Sequence, residues 1–90
     1  MDTEEFSIDA FREGEPGAME WVKKEIKQPL KYRALAITNS EVAAMKAVNE
    51  SLALLDGVRY MFTSLKDIEE FLFGSIEGIA KGIIERGNNQ

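Results

Sequence analysis

The 90-residue chain has no cysteine, no histidine and only two prolines. Without cysteine there are no disulfides, no thiolate nucleophiles and no cysteine-based zinc sites. Without histidine, the usual general base near neutral pH and the favoured transition-metal ligand are missing as well. An enzyme is therefore not expected, nor is a metal or cofactor. No run approaches the ~20 apolar residues that span a bilayer. The N-terminus is acidic where a signal peptide would be basic. These absences predict a soluble, cytoplasmic protein.

What is present fits one small domain spanning residues 1–90, too short for a second core. The apolar share is ordinary and the aromatics are spread along the chain, which argues against wholesale disorder. A domain of this size without disulfides gains stability from tight packing or from association, so a homo-oligomer, most simply a homodimer, is expected. The net charge of −5 is unevenly placed. Residues 1–20 hold seven acids against Arg12, a local −6, and residues 21–33 hold five cations against Glu25, a local +4.

Residues 3–13 are ambiguous. Thr3 could cap a short helix, but Phe6, Ile8 and Ala10 alternate with Ser7, Asp9 and Phe11, and this favours a half-buried strand. The acidic segment 1–14 is expected to be mobile. A turn at Gly14-Glu15-Pro16-Gly17 leads into a helix with Met19, Val22 and Ile26 on one stripe, ending near Gln28 because Pro29 disfavours helical geometry in its predecessor. Residues 30–38 suit a strand by length and flanks. Ser40 caps a helix through about Asp56, with Met45, Val48, Leu52 and Leu55 on one face and Gly57 as the stop. Val58 to Phe62, β-branched and aromatic, is the best strand candidate.

Ser64 caps the last helix, predicted over 64–87, with Asp67 completing an approximate capping box. The passages A-L-A-I-T-N-S-E-V and Y-M-F-T-S-L-K-D-I share a plan of apolar run, Thr/Ser punctuation and helix, which suggests strand–helix units on a small sheet. The predicted fold class is therefore α+β, a helix-rich single domain of three main helices with two or three short strands. An all-α helical bundle is the alternative, with 30–38 helical and 58–62 a linker.

On the last helix, Leu65, Ile68, Leu72, Ile76, Ile79 and Ile83 share the core face at about 100° per residue. Gly74, Gly78 and Gly82 recur every four residues away from that face, with Phe71 beside them. Each glycine costs about 1 kcal/mol relative to alanine in a helix. That cost is explained if the stripe admits another backbone closely, as small-residue stripes do. Phe71, Gly74, Gly78 and Gly82 are thus the candidate protein interface. A membrane-surface role is disfavoured because the polar face is rich in glutamates, which anionic headgroups repel.

Trp21, Lys23, Lys24, Lys27, Lys31, Tyr32 and Arg33 combine positive charge with aromatics and form a candidate nucleic-acid surface. A solvated helix face with Trp21 in the core explains the same residues, and no nucleic-acid-binding motif accompanies them. Asp67, Glu69 and Glu70 open a helix, where the macrodipole accounts for them. Thr38-Asn39-Ser40 could hold a small anion, but capping explains it equally. The acidic head could imitate a nucleic-acid backbone and inhibit a larger protein or complex. The sequence reads best as a non-enzymatic protein-interaction or regulatory module that pairs with another protein, itself included, with nucleic-acid binding through 21–33 as the alternative.

Overall fold

A computed structural model describes residues 6–88. A short helix α1 (Ile8–Arg12) precedes three long ones, α2 (Pro16–Thr38), α3 (Glu41–Val58) and α4 (Leu65–Asn88), with a 3₁₀ turn at Arg59–Met61 before the last. The long helices pack against one another in all three pairings, giving an up-down-up bundle. There is no strand among the described residues, so the α+β expectation is wrong and the all-helical alternative describes the fold.

Each of the three expected strands fails for a physical reason. Residues 30–38 continue α2 straight through Pro29. A proline inside a helix costs about 3 kcal/mol. Continuing the helix, however, carries the row Val22, Ile26, Leu30 and Ala34 into the core, the last two fully buried. Burying a leucine is worth about 1.5–3 kcal/mol, and the half-buried Leu35 and Ile37 add to it. Residues 58–62 have β propensity but no strand to pair with. Helix α3 instead runs through Gly57, which does not stop it, and the 3₁₀ turn follows. Phe62 is buried while Tyr60 and Met61 are exposed.

In the first segment, Ser7 accepts a hydrogen bond from the Ala10 amide at 3.2 Å and caps α1. Phe11 is the residue fully buried there, while Phe6, Ile8 and Ala10 only flank the core. The cap expected at Thr3, and part of the segment 1–14, lie outside the described residues.

The turns are built locally. Asn39 adopts the left-handed conformation (φ 53°) and its amide donates to the Leu35 carbonyl at 2.8 Å. Ser40 then caps α3 through the Ala43 amide at 3.2 Å. With two residues between them, α2 and α3 must run antiparallel. At α4, Ser64 Oγ accepts from the Asp67 amide at 3.2 Å. The Asp67 carboxylate reaches back one residue further than in a capping box, to the Thr63 amide (3.1 Å) and hydroxyl (2.7 Å).

Gly14 has φ +81°, and a Cβ there would fall 2.8 Å from Arg59 Nε. The Arg59 guanidinium therefore lies across the α1–α2 turn, donating from Nη1 to the Asp56 carbonyl at 2.9 Å. Its Nε is buried with no hydrogen-bond partner among the described residues.

The core is graded along the bundle. Phe11, Trp21 and Phe62 are buried near the α1 end, and Phe6 and Phe71 pack on them. Ala34, Ala44, Ala47 and Ala80, all fully buried, fill the end near the α2–α3 turn. Ser51, the one buried polar side chain among the described residues, donates to the Ala47 carbonyl at 3.0 Å. Surface ion pairs join the helices at Lys31–Glu41 (3.5 Å), Arg33–Glu77 (3.4 Å) and Arg86–Glu50 (3.8 Å). Exposed pairs of this kind contribute about 0–1 kcal/mol each, so the apolar core decides the fold.

Candidate functional site

Helices α2 and α4 do not close completely over the core. Between them lies a groove of about 240 Å³, lined on one wall by Trp21, Val22, Glu25, Ile26 and Pro29 and on the other by Leu65, Glu69 and Phe73. Helical spacing explains the lining, since Leu65, Glu69 and Phe73 recur every four residues and share one edge of α4. Val22 and Ile26 are buried and form the base, while Leu65 and Phe73 are half-buried. Trp21 is 8% exposed and stacks on Phe6, the ring centres 4.9 Å apart. The guanidinium of Arg33 sits 5.1 Å from the centre of the Phe73 ring, which fixes that wall.

Two carboxylates give the groove its polarity. Its ionisable residues are Glu25 on α2 and Glu69 on α4, both exposed. Pro29 has no N–H, so the Glu25 carbonyl four residues earlier lacks its normal helical donor. An apolar trough with acceptors on its rim can hold an apolar group and orient a hydrogen-bond donor. At about 240 Å³ it is smaller than the ~300–1,000 Å³ of small-molecule sites. One large side chain is a better match.

The predicted interface residues lie elsewhere. Gly74 and Gly78 face solvent and Gly82 is partly covered; a Cβ added at any of the three would meet nothing within 4 Å. Phe71 is half-buried, edge-on to Phe62 with ring centres 5.4 Å apart, and so is engaged with the core.

The basic segment is divided by the fold. Trp21 turns into the core and is not offered for base stacking. Lys31 faces Glu41, and Arg33 faces Glu77 and the Phe73 ring. Lys24 and Lys27 are exposed, Lys23 is half-buried, and Tyr32 stands 63% exposed on α2. Of the seven residues, Trp21 is the one that is buried.

Of the groove residues, only Trp21 was among the candidate site residues read from sequence. The spacing of Leu65, Glu69 and Phe73 was a usable signal, but only the packing of α4 on α2 shows that this edge borders a trough. Asp67, beside the groove's Leu65, has its pKa held below the ordinary aspartate value, chiefly because the Thr63 hydroxyl and amide donate to the carboxylate. No group of acidic side chains among the described residues could hold a metal ion, and no described helix is long and apolar enough to cross a membrane. No protein-family model, curated protein or solved structure matches the chain.

Proposed function

We propose that this chain is a non-enzymatic protein-interaction module whose binding surface is the groove between α2 and α4. The observation that carries this reading is an apolar trough held open between two helices of the bundle, sized for a single anchoring side chain. Interfaces concentrate their binding energy in such anchors, seated in well-packed pockets. The test is selection of binders from a random peptide library on the wild-type protein, with counter-selection on Glu69→Phe, whose ring would fill the trough from an exposed rim position. Binders that lose affinity for the filled variant support the reading. Binders indifferent to it, or none at all, refute it.

Pairing with a second copy through α4 is a second reading, favoured by the open glycines and by the order of charges. Two α4 helices crossed antiparallel at Gly78 would bring Gly74 of one copy to Gly82 of the other. Glu70 would then lie opposite Arg86. Close backbone approach and charge complementarity would both be satisfied. The measurement is mass in solution across a concentration series, and a monomer throughout removes this reading. Nucleic-acid binding through 21–33 ranks below both, because Trp21 is buried and Lys31 and Arg33 are paired with Glu41 and Glu77.

A further inference from the structure

We infer that the occupant of the α2–α4 groove is a positively charged segment of another protein, presenting one large apolar side chain flanked by arginine or lysine. This rests on the groove being a protein-binding surface and adds the chemistry of what it binds.

Two observations select that partner. The trough, about 240 Å³ in volume, is walled by Val22, Ile26, Leu65 and Phe73, so what enters it must be apolar and about the size of one side chain. Its charged groups are Glu25 on one wall and Glu69 on the other, both exposed, so a cation on either side of the anchor finds a carboxylate. The two carboxylates favour donors and repel acids, and such complementarity sets specificity more than raw affinity.

Other occupants fit less well. The chain's own N-terminal acids, Asp2, Glu4 and Glu5, carry the wrong sign. A second copy exposes large apolar side chains beside cations at Tyr32, between Lys31 and Arg33, and at Tyr60 and Met61, after Arg59, but those three cations are already engaged with Glu41, Glu77 and Asp56. Nucleic acid and anionic lipid would be repelled by the same two glutamates.

Trp21 lines the groove and is the only tryptophan in the chain, so its fluorescence reports occupancy directly. The probes are three synthetic tryptophan-free peptides of about 14 residues, roughly the length at which an isolated helix becomes stable. Each carries one central leucine, flanked by arginine in the first, glutamine in the second and glutamate in the third. The arginine peptide should shift Trp21 emission saturably and bind roughly tenfold more tightly than the glutamine peptide, with an affinity that falls as salt is raised. Changing its leucine to alanine should abolish the shift.

The double variant Glu25→Lys/Glu69→Lys alters two exposed positions, and its folding is checked by thermal melting. It should prefer the glutamate peptide. Equal binding of arginine and glutamine peptides by the wild type would overturn the charge preference while leaving the groove as a binding surface. An unchanged preference in the double variant would do the same. No saturable shift with any peptide up to about 1 mM would overturn both the inference and the groove reading beneath it.

Discussion

Replacing Gly74, Gly78 and Gly82 by alanine, singly and together, tests whether α4 is the helix described and whether its outer face is open. A glycine in a helix interior is about 0.8–1 kcal/mol less favourable than alanine, because the unfolded chain loses more backbone freedom on ordering. That gain is realised only where the methyl group has room. At all three positions a Cβ would meet nothing within 4 Å. Each single variant should therefore gain close to 1 kcal/mol, and the triple variant about 2–3 kcal/mol. For a domain of this size each kcal/mol moves Tm by about 4–8 °C, so the triple variant should melt roughly 10–20 °C higher. The assay is circular dichroism, with thermal and urea unfolding followed at concentrations low enough to keep the chain monomeric. The urea m-value should be unchanged, since a pure stability change moves only the midpoint. If copies pair through this stripe, the same variant should lose the concentration-dependent part of its stability, because binding stabilises only the state that binds. A lower Tm for any single variant, or a gain below about 1 kcal/mol for the triple, would refute the open placement of the stripe.

Three further outcomes follow from particular contacts. Pro29→Ala should stabilise the fold by about 1–3 kcal/mol by returning a donor to the Glu25 carbonyl and removing the ring from α2; an unchanged urea midpoint would mean that the helix does not continue through that position. Gly14→Ala should destabilise, since φ is +81° and the new methyl would sit 2.8 Å from Arg59 Nε. Adding Arg59→Ala should recover the steric part and leave the backbone strain of about 1–2 kcal/mol, measurable by the same urea titration. Asp67 has its pKa lowered by hydrogen bonds from Thr63, so its capping contribution is complete above the ordinary aspartate value of 3.8 and is lost as pH falls through the lower native value. The Tm gap between wild type and Asp67→Asn should thus hold from neutral pH to about pH 4 and narrow below it; a gap still constant at about pH 2 would refute the assignment.

Legibility in the sequence followed the range of the interaction. Ser40 and Ser64 were readable as caps because each hydroxyl bonds an amide three residues away. The buried rows Val22–Ile26 and Ile68–Leu72–Ile76 were readable because a helix repeats its own face. Residues 30–38 and 58–62 were not. A strand requires a partner, and whether one exists is a property of the whole chain. Pro29 is a real local penalty, outweighed because Leu30 and Ala34 complete a row begun at Val22 and Leu35 and Ile37 pack beside it. In residues 6–11 the alternation pointed to Phe6, Ile8 and Ala10, whereas Ser7 started a helix and sent Phe11 inward.

The groove was the least legible feature because neither wall contains it. Trp21 lies among lysines in the sequence, and grouping it with them was natural until α4 supplied Leu65, Glu69 and Phe73 on its other side. The grading of the core suggests how the trough arises. Helices approach as closely as the side chains between them allow. Alanines at 34, 44, 47 and 80 would permit close approach near the α2–α3 turn, while the rings of Phe11, Trp21, Phe62 and Phe71 would keep the helices apart towards the other end. Two of the groove's residues, Trp21 and Leu65, belong to the end with the large rings. On this account the trough needs no loop or insertion to create it. It follows from putting large residues at one end of three helices and small ones at the other, and its acidic rim follows from which exposed positions beside it carry glutamate.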